Sequence, residues 1–317
     1  MNQRITYIDN LRAFGIFCVI CSHVYTFSLP SMESPVAGFI KLFFMPLFFY
    51  ISGIFAKETN STEKITRRSF KLIVPTIIWG IIFCIYQKTP LTNLLFTNHH
   101  WGFWFLPTLL VITLLWNLRT YMVNTVNLFS KNKICFDIVF VLVCTLLIVG
   151  AEHILDPKIS CLLFTSGSKK YLIYYWGGHY IHKWINNDNS WGYTILFVCS
   201  ALGSVLILNN IVHNVIMRYI VSFCIISSLD YMFSHINMDS KVLRFVGKNT
   251  MEIYLLHFFF IPRKLSGFLN YDLLLSNFVL DISVVCIISS IVLLFTAILI
   301  WIIKCNKKSD IIFFGNI

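Results

Sequence analysis

The sequence predicts an all-α, polytopic membrane protein with about ten transmembrane helices and both termini cytoplasmic. Three observations carry that prediction. Hydrophobic residues make up 57% of the 317 positions and charged residues 12%, with a mean hydropathy of +0.75, more apolar surface than so few charges can cover in water. The apolar residues gather into runs of membrane-spanning length divided by short polar stretches. Lys and Arg alternate between these stretches, sixteen falling on the N-terminal side of the membrane and seven on the other, which puts both termini inside under the positive-inside rule. The same bias accounts for much of the +11 net charge without a nucleic-acid partner.

In order, the apolar segments are about 8–29, 36–56, 69–87, 101–119, 134–151, 170–183, 192–209, 212–233, 245–262 and 275–303. The first has no small-x-small cleavage site and carries Arg12 and His23 inside it, so it is expected to be retained as a span. The sixth is short and contains Gly177-Gly178, which predicts a re-entrant or unwound piece. Residues 1–310 are read as one integral membrane domain and 311–317 as a short tail. The ten cysteines are scattered and imply neither a disulfide framework nor a metal site.

The first segment carries the costliest chemistry. Arg12 and His23 are eleven residues apart, which at about 100° per residue puts them on one helix face about 16 Å apart along the axis. Asp9, three residues before Arg12, is placed to pair with it. An unpaired charge deep in a bilayer costs at least about 2.5–3.5 kcal/mol, so this row is expected to face protein or water. Asp9 and Arg12 alone are also consistent with a simple interface marker; His23, half-way through the segment, is not.

Four later stretches are polar within apolar surroundings. Ser52-Gly53 closes the second segment with small residues that allow close helix packing or leave room for a narrow substrate. Arg67, Arg68 and Lys71 open the third; they are either a topogenic signal or, with Arg12, a grip for a polyanion such as the phosphates of a nucleotide-like cofactor. The fourth begins His99-His100-Trp101-Gly102-Phe103-Trp104, an interface aromatic belt in which Trp104 is also a candidate platform for a sugar ring. Neighbouring histidines point about 100° apart on a helix, and no metal site is expected. The ninth segment carries Asn249, Thr250, Glu252, Tyr254 and His257, with Asn249 or Thr250 as N-cap and Tyr254 and His257 on one face. Ionisable groups inside a membrane are functional candidates by default. The loop around 152–169 is expected to shape an outer mouth, and the sequon at Asn60 to stay unmodified in a cytoplasmic loop.

These motifs resemble the acyltransferase-3 family of integral membrane acyltransferases, which includes bacterial polysaccharide O-acetylases. The similarity rests on Asp9, Arg12 and His23, on Phe48-Phe49-Tyr50-Ile51-Ser52-Gly53, on Trp104-Phe105-Leu106-Pro107, and on Gly247-Lys248-Asn249-Thr250-Met251-Glu252-Ile253-Tyr254-Leu255-Leu256-His257. The family's Arg-x-x-Arg appears here as Arg68-x-x-Lys71, which keeps the charge and loses the planar fork. The resemblance implies a multi-pass protein of the cytoplasmic membrane that moves an acetyl group from acetyl-CoA to a sugar hydroxyl of a cell-surface polysaccharide or its lipid-linked repeat unit. It implies His23 as base or acyl carrier, with Asp9, His257 and Glu252 around the chemistry. Arg12, Arg67, Arg68 and Lys71 are then implied on the donor phosphates, and Tyr254, Trp104, Asn249 and Ser52 near substrate. Transfer of succinyl or another acyl group, and transport of a sugar or polysaccharide along a path lined by Arg12, His23 and Glu252, are the alternatives.

Overall fold

The structure, a computed structural model, describes residues 6–29, 34–58, 61–97, 100–125, 132–185, 190–209, 214–236, 238, 240–263, 265 and 271–316. Asn60 and His99, named above, lie outside them. The described residues are helical with no strand, and seven helices are long and apolar enough to cross a membrane. These are α1 (Thr6–His23) with the π turn Val24–Ser28 that continues it, α2 (Pro35–Ile54), α3 (Thr62–Gln87), α5 (Phe105–Thr125), α6 (Lys133–Ile154), α10 (Val215–His235) and α14 (Phe278–Lys304). Between them come α4 (Thr92–Phe96), α7 (Pro157–Leu162), α8 (Thr165–Ile185), α9 (Ser190–Leu208), α11 (Lys241–Lys248), α12 (Thr250–Leu256) and α13 (Tyr271–Ser276), with α15 (Lys307–Phe314) at the end.

The chain forms two compact units, Met1–Ile51 with Gly177–Ile302, and Ser52–Trp176 with Ile303–Ile317. In the first, α1 packs along α11, α12 and α10, and α9 along α10. α1 and α11 approach closely at Gly247, where a Cβ would run into the carbonyl of Asp9. Only a residue without a side chain lets the two backbones meet there. In the second unit, α3 packs on α5 and on α15. Trp79 Nε1 donates to the Phe313 carbonyl at 3.0 Å, the Phe314 side chain is fully buried, and Gly315 turns at φ +63° beside Lys71 and Pro75.

Two sequence expectations are corrected here. The Gly177-Gly178 pair does not break the sixth segment, because α8 runs unbroken through it. Gly178 instead sits against the carbonyl of Tyr50 and Gly177 against the ring of Phe223; the missing side chains serve packing and not unwinding. The ninth segment is not one helix. It divides at Asn249 (φ −104°, ψ 25°) into α11 and α12, and a 3-10 turn over His257–Phe259 follows. Ser240 caps the start of α11, whereas the Asn249 amide turns back to donate to the Phe245 carbonyl at 2.7 Å.

Buried acids tie helices together within each unit. In the second, Arg119 is entirely buried and donates through Nε and Nη2 to Asp137 at 2.5 and 2.9 Å, and through Nη1 to Glu58 at 2.7 Å. A bidentate guanidinium–carboxylate pair satisfies most of the donors that burial would otherwise leave unpaid. In the first, Asp230 Oδ2 accepts from the Tyr50 hydroxyl at 2.9 Å and lies 2.9 Å from His182 Nδ1, while Tyr7 reaches His182 Nε2 at 3.4 Å.

Candidate functional site

The site in the first unit is built from one pair of helices. Asp9 meets Gly247 near the start of α1, and His23 meets His257 near its end, their ring centroids 5.2 Å apart. Two contacts in the same chain order mean that α1 and the α11–α12 segment run in parallel. They carry a polar group at each end of a contact about 21 Å long, fourteen residues of α1 at 1.5 Å each.

At the first end, Arg12 Nη1 lies 3.7 Å from Asp9 Oδ1, the i, i+3 pair that the spacing predicts. The Asp9 side chain is 3% exposed and that of Arg12 29%. The carboxylate is thus sealed in while the guanidinium is partly exposed. Asn10, beside it, donates to the Met238 carbonyl at 2.8 Å and holds the chain that leads into α11.

At the other end, the His23 ring packs against Phe258 at 4.6 Å and Phe27 at 5.7 Å and is half-buried. The α-helix gives way to the π turn immediately after His23, a widening that recurs at functional sites. The turn is pinned by Tyr25, whose hydroxyl donates to Asp281 Oδ1 at 2.8 Å, and Ser34 donates to the other oxygen at 2.5 Å. His257 is fully buried. Its Nδ1 lies 3.0 Å from the Ile253 carbonyl, which assigns the proton to Nδ1. Its Nε2 is left without a hydrogen-bond partner. The structure therefore brings a second imidazole, with a fixed tautomer, beside the first. Glu252 and Tyr254 are buried on the same short helix, with the Tyr254 ring 6.1 Å from His257, and Asn249 marks its break.

The remaining predicted residues stand in the second unit. On α3, Arg67 and Lys71 are exposed and Arg68 is half-buried, close to the buried Tyr175 phenol though not in hydrogen-bonding geometry with it. Ser52 is half-buried, and a Cβ on Gly53 would strike the Tyr175 carbonyl, so these small residues do serve close packing. Trp104 stacks on Tyr171 at 5.4 Å and 20°, and the 152–170 stretch lines a cavity with it. His100 is buried with Nδ1 against the Leu94 carbonyl at 2.8 Å. Among the described residues no three His, Cys, Asp or Glu side chains gather as metal ligands.

The sequence reading passed over Asp137, Asp230 and Asp281, all buried, and their partners Arg119, His182 and Tyr25. The signal was available, since each acid stands within an apolar segment where its cost calls for an explanation.

Comparison with known proteins agrees with the similarity that the motifs carry. Neither the curated proteins nor the solved structures give a match. The family described as an acyltransferase domain, Acyl_transf_3, matches residues 5–304. That span takes in both ends of the α1 contact and nearly all of the helices around them, so the chain belongs to the acyltransferase-3 family and is a multi-pass membrane acyltransferase.

Proposed function

We propose that the protein is an O-acetyltransferase of the cytoplasmic membrane, with both termini inside, that moves acetyl from acetyl-CoA to a sugar hydroxyl of a cell-surface polysaccharide or its lipid-linked repeat unit. The observation that carries this reading is the parallel pairing of α1 with α11–α12, which sets a half-open guanidinium at one end and two imidazoles at the other. Arg12 then faces a donor phosphate, and the extended arm of the donor runs along the row toward His23. Arg67, Arg68 and Lys71 are candidates for donor phosphates on charge alone, with the lysine as a point charge where the family has a guanidinium. Ser52, Trp104, Asn249 and Tyr254 are candidates on the substrate side.

At His23 the chemistry balances by either of two routes. As general base, the imidazole takes the proton of the sugar hydroxyl as its oxygen attacks the thioester carbonyl; the C–S bond breaks, and the imidazolium returns the proton to the thiolate. As acyl carrier, the imidazole nitrogen attacks first and the other nitrogen gives its proton to the leaving thiolate; in a second step the sugar oxygen attacks the acyl carbon, the C–N bond breaks, and the hydroxyl proton returns to the imidazole. His257, held in one tautomer, positions His23 in both routes, and buried Asp9 and Glu252 supply the negative charge around the row.

The test is transfer of label from acetyl-14C-CoA to a lipid-linked oligosaccharide by the purified protein. His23→Ala is expected to lower the rate about 10²–10⁴-fold, the usual weight of a positioned base. Transfer that survives the substitution, or solute uptake into vesicles without consumption of acetyl-CoA, contradicts the proposal.

A further inference from the structure

The second unit holds a cavity of about 500 Å³ to which the transfer chemistry assigns no step. Its wall comes from the residues just before and at the start of α5, the end of α6, α7 and the start of α8. Three independent features mark it as a built site. The first is aromatic: Trp104 and Tyr171 lie stacked in the wall. The second is strain. His100 (φ 42°) and Phe164 (φ 52°) are two of the three non-glycine residues at positive φ among the described residues. Both line this cavity, and their rings touch at 4.5 Å. Backbone held in a sparsely populated region persists only where its surroundings fix it, and such residues cluster at ligand clamps. The third is polar: the buried hydroxyls of Ser160 and Thr165 lie 2.6 Å apart in the wall, where a ligand hydroxyl can join the pair.

Charge narrows the ligand further. Glu152, the carboxylate of the cavity, is paired with Lys169. Lys170 also lines the cavity and has no carboxylate partner among the described residues. Among the described residues the site therefore presents one ammonium without a carboxylate, beside flat aromatic faces and hydroxyls. A wall that sets aromatic faces among hydroxyl and charged groups suits a small polar ring, and the cation suits an anion on it.

We propose that this cavity binds an acidic saccharide, with a sugar ring against Trp104 and Tyr171, ring hydroxyls on Ser160 and Thr165, and a carboxylate on Lys170. The assignment rests on the reading that the acceptor is a glycan, and it gives this cavity the task of holding that glycan. The transferred group is not handled here.

Saturation-transfer NMR of the full chain in lipid nanodiscs tests it directly, with methyl β-D-glucuronide as probe and methyl β-D-glucoside as the neutral control. The glucuronide is expected to show saturation of its ring protons several-fold above the glucoside. Trp104→Ala removes both signals, and exposed Lys170→Gln, a substitution with no packing cost, lowers the glucuronide to the level of the glucoside. Equal signals from the two sugars, no glucuronide signal, or a glucuronide signal unchanged in Lys170→Gln overturns the proposal. The outcome is separable from the transferase reading. Saturation in a protein that transfers no acetyl group upholds the cavity and refutes the transferase, while transfer without saturation does the reverse.

Discussion

Three buried acids of the first unit are paired: Asp9 with Arg12, Asp230 with Tyr50 and His182, and Asp281 with Tyr25 and Ser34. Asp9 shows the principle: 3% exposed, it is tolerable because Arg12 lies one turn on, and the pairing was legible from the i, i+3 spacing alone. So was the common face of Arg12 and His23. The meeting of His23 with His257 was not, because no spacing rule relates residues 234 positions apart; only the shared apolar surroundings hinted that both needed an explanation. His257→Gln, which keeps size and a hydrogen bond to Ile253, is expected to lower kcat about tenfold or more with little effect on the KM for acetyl-CoA. A change in that KM alone would assign His257 to donor binding. Asp137 is a different case. Removing one member of a buried ion pair costs about 3–5 kcal/mol; without Asp137 the buried guanidinium keeps only half-exposed Glu58, so Asp137→Ala is expected to unfold at lower temperature. The double variant Arg119→Met, Asp137→Leu is expected to recover most of that loss, as thermal unfolding in detergent will show.

Among the elements, the ninth segment departs furthest from its sequence. A run of eighteen residues that reads as one span is a pair of short helices joined at Asn249. Local signals could not show this, because what fixes α11 is Gly247 lying on the backbone of Asp9, a tertiary contact. A similar reason explains α8: glycines that favour unwinding in isolation sit inside a helix because the Tyr50 carbonyl and the Phe223 ring fill their space. Gly247→Ala is therefore expected to cost about 1–3 kcal/mol, the range for overpacking a tight contact, and to lower transfer by shifting α12 and His257. A variant with unchanged melting temperature and unchanged rate would show that the α1–α11 contact has slack.

For the whole molecule, composition was decisive for class and weaker for count. Seven helices are long and apolar enough to cross a membrane, against about ten expected segments. The difference lies in α8, which carries lysines, histidines and three glycines, in α9, whose described apolar run is Thr194–Leu208, and in the ninth segment, which is broken. Exposed Cys305, just past α14, reports the sidedness of the C-terminus. It is expected to react with a membrane-impermeant maleimide only after the cytoplasmic face is opened, and labelling of intact cells would reverse the proposed orientation. The claim on which the rest depends is that this membrane protein acetylates a surface glycan through His23. Proton NMR of the surface polysaccharide from the native host, compared between the normal protein and His23→Ala present at equal level in the membrane, tests it most directly. The account predicts that O-acetyl signals disappear from one sugar position while the glycan backbone persists; unchanged acetylation, with the glycan lost or held inside the cell, would contradict it in favour of export.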